Sequence, residues 1–198
     1  MMASRLQSPR GVLSIISCAS RAAQHVPELV ATAQRAGWVT CVIATPQALK
    51  FLDRSVLERL TGYPVRSEYK HPDEPDVLPR ADALIVFPAT FNTINKWALG
   101  ISDTLALGVL CEYTGLHLPI VAVPCVLTHS GLDTHPAFPQ SLERLRSYGV
   151  EVLYDPDTYP PKNEVPAPVI LQRLEQPLVA RRSPPGSGPA TDQMNSAQ

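Results

Sequence analysis

Residues 83–93 read ALIVFPATFNT. The first five, Ala83–Phe87, form an unbroken apolar run closed by Asp82 on one side and Pro88 on the other. A run of this kind suits a strand buried on both faces, at the centre of a parallel sheet. It empties into a turn of small and hydroxyl residues, from Pro88 to Thr93, rather than into a hairpin. The strand and its turn set the terms for the rest of the chain.

Working outward, short β-branched runs alternate with helical stretches, the pattern of a parallel sheet covered on both faces. Val12–Ser17 predicts a first strand, and Trp38–Ala44 a second. Between them, Ala22, Val26, Leu29, Val30 and Ala33 make a helical stripe closed by Gly37, with Pro27 either kinking the helix or marking its start. Asp53–Leu60 predicts a helix with Asp53 as N-cap and Gly62 as its stop. Val65–Tyr69 is a candidate short third strand, and His71–Pro79 a proline-punctuated loop. Beyond the central strand, helix is expected from about Thr93 to Tyr113 with an interruption at Gly100. Pro119–Val123 reads as strand, Ser141–Tyr148 as helix ended by Gly149, Val150–Tyr154 as the last strand and Val169–Leu174 as a weak helix.

A chain of 198 residues with 44% hydrophobic and 18% charged residues fits one α/β domain with a real core. We expect a flexible N-terminus over residues 1–10, the domain over 11–180, and a disordered Pro/Gly/Ser-rich tail over 181–198. Seventeen basic against eighteen acidic residues argue against nucleic acid as a partner. No apolar run is long enough to cross a bilayer. The stretch from Gly11 to Ala19 follows Arg5 and Arg10 in the manner of a targeting segment, but it is short and broken by Ser14 and Ser17, and we read it as strand. Cys18, Cys41, Cys111 and Cys125 show no metal-ligand or disulfide spacing, so no metal is expected. Buried reduced thiols in a cytoplasmic protein account for them.

In an open parallel sheet, ligands bind beyond the carboxyl ends of the strands. Those positions are Cys18-Ala19-Ser20, Thr45, the segment from Pro88 to Thr93, and Pro124 to His135. They are rich in small residues and hydroxyls and poor in charge. Small residues let backbone N–H groups approach an anion, and hydroxyls add donors at helix N-termini. A phosphate-bearing cofactor suits such loops. No G-x-G-x-x-G or P-loop is present, which disfavours a nicotinamide-dependent oxidoreductase.

The stretch PATFNTINKWALGISDTLAL, Pro88 to Leu107, resembles the signature of the homo-oligomeric flavin-containing Cys decarboxylases, PATANTIAKLANGIADNLL. SCASRAAQ (Ser17–Gln24) resembles the family's TGSIAAYK-type loop, ATPQALKF (Ala44–Phe51) its MTESATKF segment, and LERLTGYPV (Leu57–Val65) its FEALSGNPV. HPAFPQSLERLRSYGVEVL resembles the segment with HP and a helix ending in Gly. The resemblance covers about residues 11–154. It implies a Rossmann-like flavoprotein fold that binds FMN and assembles with itself as a homotrimer or a dodecamer of trimers. It implies Ser20 as the phosphate-binding serine, Ala19 in place of the glycine before it, and Thr45 as the hydroxyl residue after strand two. Ala89, Thr90, Asn92 and Thr93 fall on the segment that contacts the phosphate and the flavin edge. Asp103 takes a structural or interfacial aspartate, and Phe91 or Trp97 becomes a candidate contact to a neighbouring subunit.

The departures bear on the reaction. The family's histidine before the central strand aligns near Glu74, with only His71 close by. The family's Pro-x-Met-Asn has no asparagine here: with Pro124 as its proline, Leu127 stands in that place, and counting back from His135-Pro136 puts His129 there. His129 is therefore the candidate catalytic residue, as a hydrogen-bond donor or proton shuttle. Two readings follow. One is a flavin-dependent decarboxylation or redox step on a small or peptidyl thiol or carboxylate substrate. The other is a non-catalytic FMN-binding or regulatory member of the same family.

Overall fold

The computed structural model describes residues 9–160 and 162–182, with side chains through Glu175. The flexible start and the tail expected from sequence lie outside the described residues, save Pro9 and Arg10 at one end and Arg181 and Arg182 at the other. Five parallel strands form one sheet in the order β2-β1-β3-β4-β5. These are β1 (Gly11–Ser17), β2 (Trp38–Ala44), β3 (Ala83–Ala89), β4 (Ile120–Pro124) and β5 (Glu151–Val152). The ALIVF run lies in β3, every residue of which is buried. It pairs with β1 through Leu13↔Ala83 to Ile16↔Val86 and with β4 on its other side.

Strand alternation divides the apolar residues into two cores. Leu13, Ile15, Val42, Ile85 and Val123 face one side, covered by α1 (Val26–Arg35), α2 (Arg54–Thr61) and α6 (Ala167–Arg182). Ile16, Ile43, Leu84, Val86 and Ala122 face the other, covered by α3 (Phe91–Ala98), α4 (Leu105–Gly115) and α5 (Ala137–Ser147). The stripe on α1 holds, with Val26, Leu29, Val30 and Ala33 all buried. Pro27 sits in the first turn of α1 and marks its start; the residues before it, Arg21–His25, form a 3-10 turn. Asp53 caps α2 by accepting from the Val56 N–H at 3.0 Å, and Gly62 ends it at φ 75°, a left-handed conformation that glycine adopts freely.

Four expectations change. The third strand shrinks to a single parallel bridge between Ile43 and Arg66. With that bridge counted, the strand order becomes the six-position Rossmann order, reversing between β1 and β3. The last strand is two residues long. The helix expected near Gly100 is two helices separated by residues 99–104, with Gly100 at φ 72°. Both terminal helical predictions were too short: α5 begins at Ala137 and α6 extends from Ala167 to Arg182. Trp97 is also corrected as a subunit-contact candidate, because it is 2% exposed and its Nε1 donates to Thr114 Oγ1 at 2.9 Å. Lys96 and Asp103 pair with each other across the α3–α4 connection.

The chain returns from the β2 edge to β3 through residues 67–82 without a helix. Asp82 ends this strap by exchanging hydrogen bonds with Val12, its N–H donating at 2.8 Å and its Oδ2 accepting at 2.7 Å, and two tyrosines hold it upstream. The Tyr69 hydroxyl donates to Thr104 O at 3.2 Å, and Ala81 N donates to the buried Tyr113 hydroxyl at 3.1 Å. Between these points it roofs a cavity of about 690 Å³ over Ser14, Ile43 and α4.

Candidate functional site

Hydrogen bonds continue past the ends of the strands and hold four loops along one rim. Thr45 N donates to Ser17 O at 2.9 Å, Cys18 N to Pro88 O at 3.1 Å and Cys125 N to Ala89 O at 2.9 Å. The rim therefore inherits the rigidity of the sheet, and it lies where the strand order reverses. The Phe87–Pro88 peptide at its centre is cis.

The predicted residues fall into two groups. Ser20, Thr45 and Thr90 are half-buried and Asn92 is exposed, so their polar atoms are accessible from the rim. Ala89 and Thr93 are buried and support the rim from below. Ser20 caps the 3-10 turn through a long 3.4 Å bond from Ala22 N. Thr45 and Thr90 stand at N-cap positions, yet neither side chain makes the capping bond. Thr90 Oγ1 lies 3.1 Å from Thr93 Oγ1. At the end of β1 the Ser17 hydroxyl is buried and has no protein partner among the described residues. Buried polar groups are ordinarily paired, so the orphaned Ser17 hydroxyl and the Thr45 hydroxyl that makes no capping bond suit a ligand that supplies hydrogen-bond partners; Ser20 and Thr90 already have weak or shared partners within the rim. None of these residues is a carboxylate. The donor set fits a phosphate-bearing group.

Sequence reasoning treated Cys18 and Cys125 as ordinary buried thiols. Both stand at strand ends inside this rim. Burial pushes the Cys18 thiol up, with hydrogen bonds to Thr93 and Thr90 drawing it partly back. Burial pushes Cys125 up to about 11, against a hydrogen bond with Ser20, and its proximity to Cys18 raises it further. Both are therefore neutral thiols near pH 7 and weak nucleophiles.

Asn163 was missed altogether. It is 2% exposed at φ 58°, and its Nδ2 donates to Pro124 O at 2.9 Å and to Leu153 O at 2.6 Å. Its Oδ1 accepts from Asp155 N at 2.9 Å. One side chain thereby fastens the turn after β5 to the ends of β4 and β5. A lone Asn in a Pro-rich loop carries no periodic signal; tolerance of the left-handed region was its only hint. The turn it holds closes one side of a cavity of about 240 Å³ between α1 and α6, with Cys125 in its wall.

His129 is not brought onto the rim by any hydrogen bond among the described residues. It is exposed at φ 60°, and its N–H donates to Asp133 Oδ2 at 2.7 Å, while Gly131 N donates to Asp133 Oδ1 at 3.1 Å. These bonds, that from His129 first, hold the Asp133 carboxyl below the usual range. His71 is exposed on the strap beside Asp73. His135 meets Phe91 edge-on at 5.5 Å, and Phe91 stacks at 5.9 Å on Phe138. Phe91 is thus engaged within its own chain. Among the described residues, no cluster of His, Cys, Asp and Glu could hold a metal ion, and no helix is long and apolar enough to cross a membrane.

A family model described as Flavoprotein matches residues 3–170. The chain belongs to the Flavoprotein family. The bifunctional coenzyme A biosynthesis protein CoaBC of Thermococcus kodakarensis is 34% identical over 116 residues, covering 56% of this Flavoprotein and 28% of the relative. The chain thus spans little more than a quarter of that relative's length. Among solved structures, the cypemycin decarboxylase CypD superposes with a TM-score of 0.69 at 23% identity, over 89% of this chain and 99% of that one. The FMN-dependent cysteine decarboxylase SpaF gives 0.67 at 24% identity, over 86% and 97%. At these identities the structural likeness speaks for the fold, which is the Rossmann-like flavoprotein fold expected.

Proposed function

We propose that this Flavoprotein binds FMN at the rim formed by the ends of β1, β2 and β3. Ser20, Thr45, Thr90 and Asn92 would be the accessible donors, with Ala19, Ala89 and Thr93 providing close approach and support. The observation that carries the reading is the buried Ser17 hydroxyl without a partner among the described residues, beside a Thr45 hydroxyl that makes no capping bond, on loops registered by the sheet. Family membership and the FMN-dependence of the similar SpaF support it.

When bound, FMN supplies an electron sink that eases oxidation of a thiol or carbon centre and loss of a neighbouring carboxylate. This chain's own groups hold and orient. The backbone N–H groups and hydroxyls at the strand ends bind an anion without a compensating cation, as helix N-termini do. The neutral thiols of Cys18 and Cys125 can donate hydrogen bonds but do not add negative charge at the rim. His129 is the proposed proton carrier of the loop after β4. The reaction we favour is flavin-dependent decarboxylation or redox on a small or peptidyl substrate, in a self-assembled homotrimer or dodecamer of the cytoplasm.

One observation favours the alternative, a non-catalytic FMN-binding or regulatory protein. By the resemblance, no asparagine stands at the position expected for the family's carboxylate-holding group, where the two registers put Leu127 or His129, and no histidine at the one expected before the central strand; Leu127 is exposed.

The test is the visible spectrum of the purified protein, with mass spectrometry of whatever a denaturant releases. Two flavin bands and released FMN are expected. A colourless protein that takes up no added FMN overturns the Ser20, Thr45 and Asn92 assignments.

A further inference from the structure

The cavity between α1 and α6 has no part in holding the cofactor as described above. Its volume is about 240 Å³, and its walls include Leu29, Phe87, Val123, Val165 and Ile170. All five side chains are at least nine-tenths buried. Dry apolar cavities of ~150 Å³ accept benzene, so this one has room for about a ring and a short tail. Its polar lining is one-sided. Glu28 and Glu164 line it, both exposed, and neither joins an ion pair among the described residues.

Among the described residues, no Arg or Lys lines the cavity. Lys162 is near enough to Cys125 to influence it but is not part of the wall. His25 at the mouth is engaged by the Gln24 amide, 3.2 Å from its Nε2. Glu28 has a local explanation, since a carboxylate in the first turn of α1 is favourable to the helix dipole. Glu164 has none. It sits immediately after Asn163, whose three hydrogen bonds fix the turn and so fix where that carboxylate emerges.

We propose that this cavity binds a small apolar amine, with its hydrocarbon body inside and its ammonium group between Glu28 and Glu164. Two carboxylates at the mouth of an apolar cavity attract a cation and repel a carboxylate. The site therefore selects against the carboxylate-bearing class of substrate in favour of an amine. The proposal goes beyond the flavin reading: Cys125 is part of this cavity's wall as well as of the rim, and the binding is independent of flavin.

The experiment is isothermal titration calorimetry of the full chain with 2-phenylethylamine and with 3-phenylpropionate, alongside the absorbance spectrum of the same samples. The amine is expected to bind at least tenfold more tightly than the acid. In the E28Q/E164Q double variant, both changes being on exposed side chains, the preference should fall below threefold. A167F, which places a ring in the cavity, should abolish amine binding while circular dichroism reports a folded protein. Equal affinity for the two probes, no binding of either at millimolar concentration, a preference untouched by the glutamine variants, or displacement of the amine by FMN each overturns the proposal. Amine binding by a colourless protein upholds the cavity and removes the flavin reading. A flavin-coloured protein that ignores the amine does the reverse.

Discussion

The rim at the strand ends and the strap over residues 67–82 are both irregular segments, yet they are held in different ways. The rim is an extension of the sheet: each of its loops begins with a backbone bond to the neighbouring strand. The strap lacks any helix or strand beyond the Arg66 bridge before it; before it rejoins the sheet at Asp82, its bonds to the rest of the fold include those of two tyrosines, Tyr69 and Tyr113. On the proposed reading, the rim carries the hydroxyls that would hold a cofactor, and the strap carries His71, exposed and away from it. Groups that hold a cofactor are carried by the rigid scaffold, and groups that act on a substrate by loops whose sequence can change without cost to the fold.

The sharpest way to break this contrast is to place a negative charge on the rim. Ser20→Asp puts a carboxylate where the reading requires an anion, and like charges in contact cost several kcal/mol. Flavin affinity, followed by fluorescence quenching on titration with FMN, should fall by more than a hundredfold with the fold intact. Retention of FMN at wild-type affinity would move the phosphate away from Ser20.

Next comes the fastening of the turn after β5. Asn163→Ala removes one side chain and leaves Pro124 O, Leu153 O and Asp155 N without it. Buried polar groups left unpaired cost ~1–3 kcal/mol each when water cannot reach them. A loss of about 2 kcal/mol in urea unfolding is expected, larger than for any single change on the strap. A loss below 0.5 kcal/mol would mean that water replaces the amide.

These two positions also mark how far the sequence is legible. The place of Ser20 just beyond a strand end was readable, because the strand that precedes it is evident in the sequence. The central run Ala83–Phe87 was readable for the same reason: its burial is decided by residues adjacent in sequence. Asn163 was not, since its partners lie 39, 10 and 8 residues away. The cavity was hidden likewise, because it is made by α1 and α6, from opposite ends of the chain. Val150–Tyr154 misled in the other direction. Its composition favours a strand, but the sheet edge uses only Glu151–Val152 before Asp155 turns toward Asn163.

A smaller effect is expected where the strap meets α4. A Cβ on Gly108 would lie 2.1 Å from the Tyr69 hydroxyl oxygen, the far end of an exposed side chain. Gly108→Ala should therefore push Tyr69 off Thr104 while gaining up to about 1 kcal/mol of helix propensity. Global stability should change by less than about 1 kcal/mol, whereas cleavage by a protease within residues 67–80 should accelerate severalfold. Flavin affinity should stay within twofold of wild type. A large loss of flavin on this change would tie the strap to the rim and dissolve the contrast between them.

The thiols provide a gentler probe of the rim. With Cys125 pushed up to about 11, about one molecule in a thousand carries its thiolate at pH 8, against roughly a quarter for a free thiol near 8.5. Alkylation of Cys125 by iodoacetamide, mapped by peptide mass spectrometry, should run about two orders of magnitude slower than that of a model thiol. Its rate should climb with pH through 10 and not level off near 9. Bound FMN should slow it further if the crevice beside Cys125 opens onto the cofactor.

The least effect on binding and stability is expected at His129. The αL backbone there is tolerated by Asn as well as by His, and the two Asp133 bonds that shape the turn come from main-chain N–H groups that His129→Asn retains. Flavin affinity should therefore change by less than twofold and stability by less than about 0.5 kcal/mol, the range of surface substitutions. Turnover is the quantity that divides the two functional readings. A proton carrier typically contributes a factor of ~10²–10⁴, so a catalytic His129 predicts loss of flavin reduction by that amount. If reduction proceeds at the wild-type rate and with the wild-type pH profile, proton transfer does not pass through the loop after β4, and the contrast between a rim that holds and loops that act would have to be redrawn around the rim's own thiols.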